Sequence, residues 1–307
     1  MSLEIDVYKG IIVPMVTPLT ADGYIDKVAA AKLIEFLLNK DSIPFILGTT
    51  GEGPSIPSAE RQKLVQLLIK AKRHGIPAIT GVLGLTIPDT IDEANTFLKM
   101  GIDAVVITLP YQYELTEIQI YNYYKVLAEQ IDGNIILYNI PKTVKQSIPV
   151  NIIEELSYFE NIIGIKDSEL DEQRLIQSLN LWKNRKDFSH FTGVNALMPL
   201  GMKLGSKGMV PSTANLIPAT YVELYHACRQ GKNSNIEMII EQTVRWSHLY
   251  QKGRTLGDSL AALKYVLSKM ELCAPHLMPP LTALNDGEKE KINYTMEKTG
   301  LEIAGKI

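Results

Sequence analysis

Cysteine is scarce in this chain of 307 residues: there are two, Cys228 and Cys273. They stand too far apart for a CxxC pair or a zinc ligand set. That excludes a disulfide-stapled scaffold and makes a reducing cytoplasm the expected location. The five histidines, His74, His190, His226, His248 and His276, keep no metal-ligand spacing, so no metal is expected. Positive charge is not in excess. The 31 Lys and Arg face 34 Asp and Glu, and the net charge of -3 leaves no footprint for nucleic acid. No apolar run is long enough to span a membrane, so no membrane partner is expected. The opening Met1-Ser2-Leu3-Glu4-Ile5-Asp6 lacks the basic and apolar regions of a signal peptide, and Met1-Ser2-Leu3 also fits a cloning remnant.

What is abundant is apolar: 46% of residues are hydrophobic and 21% charged, enough for a sizeable core. Short apolar runs at 10–18, 44–47, 76–80, 104–108, 134–138, 161–165, 188–192 and 207–210 read as strands. Helical periodicity fills the gaps between them. Asp26 can cap a helix with Val28, Ala31, Ile34, Leu37 and Leu38 on one face. Ser58 opens another, with Leu64, Leu67, Leu68 and Ala71 at helical spacing, and 89–100 follows. Thr116 and Gln119 match a capping box ahead of Ile120, Tyr124, Leu127 and Ile131. Further helices are expected at 151–156, 170–182, 195–204 and 218–228. Eight strand-helix units in roughly 225 residues match an α/β fold of the closed (β/α)8 TIM-barrel type. A doubly wound open sheet is the alternative, but no Gly-x-Gly-x-x-Gly fingerprint follows the first strand. After Gly231 the strand signals stop, and 234–249, 257–270 and 286–298 read as helices. The expected organisation is a barrel bearing the site over 1–230, with a C-terminal helical extension over 231–307 packed on it.

In such a barrel the site lies at the C-terminal ends of the strands. Lys166 ends the sixth, in Gly164-Ile165-Lys166-Asp167-Ser168. A desolvated lysine loses its proton more easily, and its amine can attack a carbonyl to form a Schiff base. Tyr138 ends the fifth strand and can pass protons through its hydroxyl. The loop 48–54 follows the second, with three glycines and two threonines able to turn N–H and hydroxyl donors toward a carboxylate. Glu52 is read as a brace for that loop. Pro110 to Tyr113 and Gly193 complete five segments that converge on one cavity. Met198, Met202 and Met209, and the tyrosines from Tyr121 to Tyr124, read as packing.

Gly48-Thr49-Thr50-Gly51-Glu52, Tyr138-Asn139-Ile140-Pro141 and Gly164-Ile165-Lys166-Asp167-Ser168 resemble the three signatures of the dihydrodipicolinate synthase/N-acetylneuraminate lyase family. Their order and spacing match, from about Ile11 to about Ile292. The resemblance implies a barrel with a C-terminal helical extension, assembled as a homotetramer of tight dimers or as a homodimer. It implies a class I aldolase that uses no metal or organic cofactor, only a covalent Schiff base between Lys166 and pyruvate. By that analogy the substrates are pyruvate, or another 2-keto acid, plus an aldehyde. Lys166, Tyr138 and Thr50 are the catalytic candidates, Thr49 and Thr50 hold the keto acid's carboxylate, and Gly193 and Val210 line the pocket through their backbone.

The departures fall where the second substrate would bind. The synthase branch has a second tyrosine reaching across a dimer interface where this chain has Gln112, between Tyr111 and Tyr113. It has an arginine where this chain has Thr143, with Lys142 and Lys145 nearby. The sialic acid lyase branch has acidic residues after the glycine of the seventh strand, where this chain reads Val194-Asn195-Ala196; Ser168 and Ser212 keep its hydroxyls. The expected activity is condensation of pyruvate with an aldehyde, or cleavage of a 2-keto acid to pyruvate. The alternatives are a 2-keto-3-deoxy sugar acid aldolase or an N-acetylneuraminate lyase-like enzyme and, from another class, a non-catalytic keto-acid-binding homologue.

Overall fold

Strand β1 (Gly10–Pro14) pairs in parallel with β2 (Ser42–Ile46), Ile11 opposite Ser42, and with β8 (Gly208–Met209), Gly10 opposite Gly208. The sheet therefore closes on itself. The computed structural model describes residues 8–82, 84, 86–231 and 233–299. The Met1 to Asp6 stretch considered above lies outside the described residues. Between β1 and β8 the ladder runs in chain order through β3 (Ile79–Val82), β4 (Ala104–Thr108), β5 (Asn134–Asn139), β6 (Ile162–Asp167) and β7 (Ser189–Thr192). The helices between strands are α1 (Lys27–Leu38), α2 (Ser58–Ala71), α3 (Ile87–Lys99), α4 (Glu117–Gln130), α5 (Pro141–Val144), α6 (Val150–Leu156), α7 (Glu172–Trp182) and α8 (Met198–Leu204). This is the expected eight-stranded TIM barrel. After β8 come α9 (Pro218–Gln230), α10 (Asn233–Gln251), α11 (Leu256–Lys269) and α12 (Asp286–Thr299). No helix among the described residues is long and apolar enough to cross a membrane.

Local chemistry sets where these elements begin and end. Asp26 caps α1 by accepting from Val28 N and Ala29 N. Asp171 caps α7 through Arg174 N, and Gln119 accepts from Thr116 N at 2.9 Å at the start of α4. The first strand stops earlier than its apolar run, because Val16 N leaves the ladder for Asn215 Oδ1 at 3.1 Å. The third starts three residues later than the run at 76–80. Pro77 has no N–H to give, and Ala78 N is taken by Asp103 Oδ2 at 2.7 Å, so strand pairing begins at Ile79. In α1 the buried face is Ala30, Leu33, Ile34, Leu37 and Leu38, with Val28 81% exposed. The face differs from the expected one at its start, where Ala30 and Leu33 are buried in place of Val28 and Ala31.

One apolar core runs from Tyr8 in the barrel to Ile292 in α12. Helix α11 is sunk deepest, with every residue from Ser259 to Leu267 buried, including Lys264. A helix apolar on all sides belongs to an interior. On the outer face of β7, His190 stacks on Trp182 of α7, ring centroids 6.4 Å apart, and its carbonyl accepts from Ser206 Oγ at 2.9 Å.

Burial pushes the His190 imidazole down to about 4, the neighbouring Asp167 only partly offsetting it. An unfolded histidine titrates near 6.5. Between those values the unfolded chain holds a proton that the folded chain refuses. This contribution to stability is therefore complete above about pH 6.5 and is lost as pH falls toward 4. We expect His190→Phe, which keeps a ring against Trp182, to flatten the fall of Tm over that window. The effect is worth at most about 3 kcal/mol. Superimposable pH profiles of the two proteins would contradict it.

Candidate active site

Because all eight strands are parallel, their C-terminal ends share one face of the barrel. Lys166 is the last residue but one of β6, opposite Tyr138 of β5 on one side and Phe191 of β7 on the other. It is only 6% exposed. Its Nζ lies 3.8 Å from the centroid of the Tyr138 ring and 5.0 Å from that of Phe45. Strand β2 stands across the barrel from β6, so a Lys166 side chain that approaches the Phe45 ring lies in the lumen. Ring faces attract a cation without fixing it in a hydrogen bond. Among the described residues no carboxylate pairs with Lys166.

The carboxylate next to it in sequence is committed elsewhere. Asp167 Oδ2 binds Arg174 Nε at 2.7 Å, and Asp167 Oδ1 accepts from Asn139 Nδ2 at 2.8 Å. Asn139 Nδ2 also donates to Glu169 Oε2 at 2.9 Å, which Ser147 Oγ and Arg174 Nε approach at 2.7 and 3.3 Å. The amide's other end, Asn139 Oδ1, accepts from Ile148 N at 3.0 Å. This cluster ties the ends of β5 and β6 to α7 and to the segment before α6. It fixes the two positions beside it, Tyr138 and Lys166, and spends the charge of Asp167. Arg174 and Glu169 were not singled out in the sequence, since a salt link formed across a strand-helix turn has no spacing signature.

The loop after β2 is held by its own backbone. Gly51 N and Gly53 N donate to Gly48 O, and Glu52 N donates to Thr49 O. These bonds take three of the loop's N–H groups. Among the described residues no acceptor takes the N–H of Thr49 or Thr50, so these two and their hydroxyls are the donors left to the site. Leu47 and Glu52 take the left-handed conformation, with φ of 56° and 55°. Gly53 makes that turn possible, because a Cβ there would stand 2.0 Å from Leu47 O. Thr17 Oγ1 donates to Gly51 O at 2.5 Å and anchors the loop to the segment after β1.

Glu52 is a brace, as its position suggests, but its partner comes from the far end of the chain. Its Oε1 pairs with Lys264 Nζ of α11 at 2.5 Å, and its Oε2 accepts from Met278 N at 2.7 Å. Lys264 Nζ also donates to His276 O at 2.7 Å. Burial holds the Lys264 ammonium below the ordinary lysine range, although Glu52 beside it opposes the shift. A lone lysine inside the apolar run Leu260 to Leu267 was the signal for this pair.

The remaining candidates divide into two groups. Gly193 follows β7, its N donating to Asp167 O at 2.7 Å, and a Cβ there would stand 2.2 Å from Ser168 Oγ. Val210, buried after β8, donates its N–H to Thr192 O at 2.9 Å. Both lie at the same barrel end as Thr49, Thr50, Tyr138 and Lys166. Gln112 is exposed on the loop after β4, between Tyr111 and Tyr113, which are 51% and 79% exposed. Thr143 lies in α5 with Oγ1 donating to Ile140 O at 3.2 Å, so its hydroxyl is spent on its own turn.

Comparison with known proteins places this geometry. The profile of the Dihydrodipicolinate synthetase family matches residues 7–299. The 4-hydroxy-tetrahydrodipicolinate synthase of Coxiella burnetii is 28% identical over 298 residues, covering 96% of this chain and 99% of the relative. The dihydrodipicolinate synthase of Bacteroides thetaiotaomicron superimposes with a TM-score of 0.89 at 27% identity, over 94% of this chain and 98% of that one. YagE of Escherichia coli, a prophage protein of the same family solved in complex with pyruvate, superimposes with a TM-score of 0.89 over 96% of this chain and 99% of its own. At 24% identity that last likeness speaks for the fold alone.

Removing one member of a buried ion pair leaves an uncompensated charge, at a cost of about 3–5 kcal/mol. Glu52→Gln and Lys264→Met should each lower Tm strongly. The double variant Glu52→Gln with Lys264→Met, in which the amide can still accept from Met278 N, should recover much of the loss. Equal, additive losses in a thermal-unfolding cycle would show that the pair is not coupled.

Proposed function

The chain belongs to the Dihydrodipicolinate synthetase family, and on that premise we propose that it is a pyruvate-dependent lyase or aldolase working through a Schiff base on Lys166. The observation that carries this reading is the placement of the Lys166 amine. It is buried in the barrel lumen against Tyr138 and Phe45, while the adjacent Asp167 is bound to Arg174. An amine not tied to a carboxylate can act as a nucleophile.

In the forward direction the neutral Lys166 amine adds to the C2 carbonyl of pyruvate, and loss of water from the carbinolamine gives a protonated imine. The imine withdraws electrons, so a proton leaves C3 and an enamine forms. The enamine carbon bonds to the carbonyl carbon of an aldehyde, whose oxygen takes a proton. Water then hydrolyses the imine and frees Lys166. The reverse sequence cleaves a 2-keto acid to pyruvate and an aldehyde. Thr49 and Thr50 offer the N–H and hydroxyl donors for the pyruvate carboxylate. Tyr138, whose ring lies against the amine, is assigned the proton transfers at the carbinolamine and carbon–carbon bond steps. Gly193 and Val210 bound the pocket through backbone. We assign the chain a homotetrameric or homodimeric assembly on family grounds.

Borohydride reduction in the presence of pyruvate, read by intact mass and peptide mapping, tests the reading. A stable adduct on Lys166 is expected. Lys166→Ala should retain its fold, form no adduct and lose turnover by at least about a thousandfold. Activity within a few-fold of the parent would refute the mechanism. Gln112→Tyr addresses the acceptor: it should raise the rate with aspartate semialdehyde if a missing phenolic relay limits that reaction. An unchanged rate would point to a different aldehyde.

A further inference from the structure

Away from the barrel strands, helices α10 and α12 enclose a cleft of about 420 Å³. Its polar wall is Arg245, His248 and Lys252 on α10 and its end, Arg254 just beyond, and Lys291 on α12. Its apolar floor is Leu249 and Ile292, which are 5% and 1% exposed. Positions 245, 248, 249 and 252 follow helical spacing, so one face of α10 presents all four. None of these residues has a part in the Schiff-base chemistry. Arg254 also borders a smaller cleft of about 210 Å³ beside Thr50, walled by Leu260 and Leu263 of α11, and the two clefts share no other residue.

The wall of the larger cleft carries four cations, Arg245, Lys252, Arg254 and Lys291, and no carboxylate lines it. The chain as a whole has a net charge of -3, so this concentration runs against its balance. Lys252, Arg254 and Lys291 form no ion pair among the described residues. Like charges facing one cavity repel, and an anion between them removes the repulsion. The C-terminal end of a helix favours cations, but only within its last turn. That accounts for Lys252 and Arg254, which follow the end of α10 at Gln251. It does not account for Arg245, six residues before that end, or for Lys291 in the second turn of α12. Arg254 is also only partly satisfied. Its Nη1 donates to Leu249 O at 3.1 Å, but its Nε is buried and meets no acceptor. A buried donor left unpaired is costly, more so on a charged group, and an anion's oxygen would satisfy it.

The spread of the charges selects the ligand. From Arg245 to Lys252 the helix rises about 10 Å at 1.5 Å per residue, and Lys291 stands across the cleft on α12. A single carboxylate neither spans that length nor offsets four charges. Linked phosphoryl groups do both, and each offers several strong acceptor oxygens to arginine and lysine. We infer that the cleft between α10 and α12 binds a polyphosphate, an anion with two or more linked phosphoryl groups, held by Arg245, Lys252, Arg254 and Lys291. The lysines act as point charges, while the planar forks of the arginines orient the chain. Inorganic polyphosphate and a nucleoside triphosphate share this chemistry. The apolar floor of Leu249 and Ile292 gives a further contact only to the second, through its base.

Calorimetric titration of the whole protein tests it, with inorganic phosphate, inorganic triphosphate and ATP, each free of divalent metal, at about 0.1 M salt. Triphosphate should bind at least about tenfold more tightly than phosphate, and should weaken as salt is raised. Tighter binding of ATP than of triphosphate assigns the site to a nucleotide, and equal or weaker binding assigns it to the inorganic chain. Lys252→Gln with Lys291→Gln, both exposed, should weaken triphosphate binding by about tenfold or more. Lys40→Gln with Lys186→Gln, which removes the same charge from exposed positions elsewhere, should leave it unchanged. Absence of binding by both triphosphate and ATP overturns the inference, as does triphosphate bound no better than phosphate. An equal loss in the two double variants also overturns it, since attraction would then come from net charge and not from the cleft. Pentaglutamate bound as tightly as triphosphate would make the cleft a site for acidic peptide and overturn the assignment to phosphate. None of these readings depends on turnover, so pyruvate trapping on Lys166 judges the Schiff-base reading separately.

Discussion

A charge buried in a protein must find a partner, and this barrel respects that constraint at every buried charged side chain described except one. Glu52 pairs with Lys264, Glu60 with Lys63 and Asp167 with Arg174. Lys166 is as buried as these and among the described residues meets two aromatic faces but no carboxylate. Strand alternation keeps the two apart: Asp167 follows Lys166 in β6 and points to the outer face, where Arg174 and Asn139 bind it, while the amine points into the lumen.

The same pairs link distant parts of the chain. The loop that presents Thr49 and Thr50 is closed by its own hydrogen bonds, by Thr17 and by a crowded contact at Gly53. Its outward anchor is Glu52, held by Lys264 in α11 and by Met278 N beyond it. The helices after β8 therefore do more than cover the barrel. They hold the loop that faces the lysine, and through Leu260, Leu263 and Arg254 they wall the cleft beside it. Changes in α11 should be felt at the site as well as in stability, because packed interiors transmit small shifts.

Much of this was legible in the residues. Apolar runs bounded by turn residues located all eight strands, and the parallel barrel followed from their alternation with helices. Asp26, Thr116 and Gln119 announced helix starts by capping chemistry that acts within four residues. The errors were local and have local causes: Pro77 and the Asp103 carboxylate delay β3, and Asn215 draws Val16 out of β1. The face of α1 was misjudged at its start, where periodicity alone did not separate Ala30 and Leu33 from Val28 and Ala31.

The sequence by itself determined the period of each element, the order of strands and helices, and the residue types at the strand ends: an amine, a phenol and a pair of threonines. These are properties of neighbours along the chain, governed by backbone sterics and side-chain pattern. Tertiary structure alone decided which carboxylate each cation meets. Asp167 is adjacent to Lys166 in the chain yet binds Arg174, and Glu52 finds Lys264 more than two hundred residues away. Ion pairing depends on distance in space and on loss of water, and neither is defined until the barrel closes and α11 is buried against it.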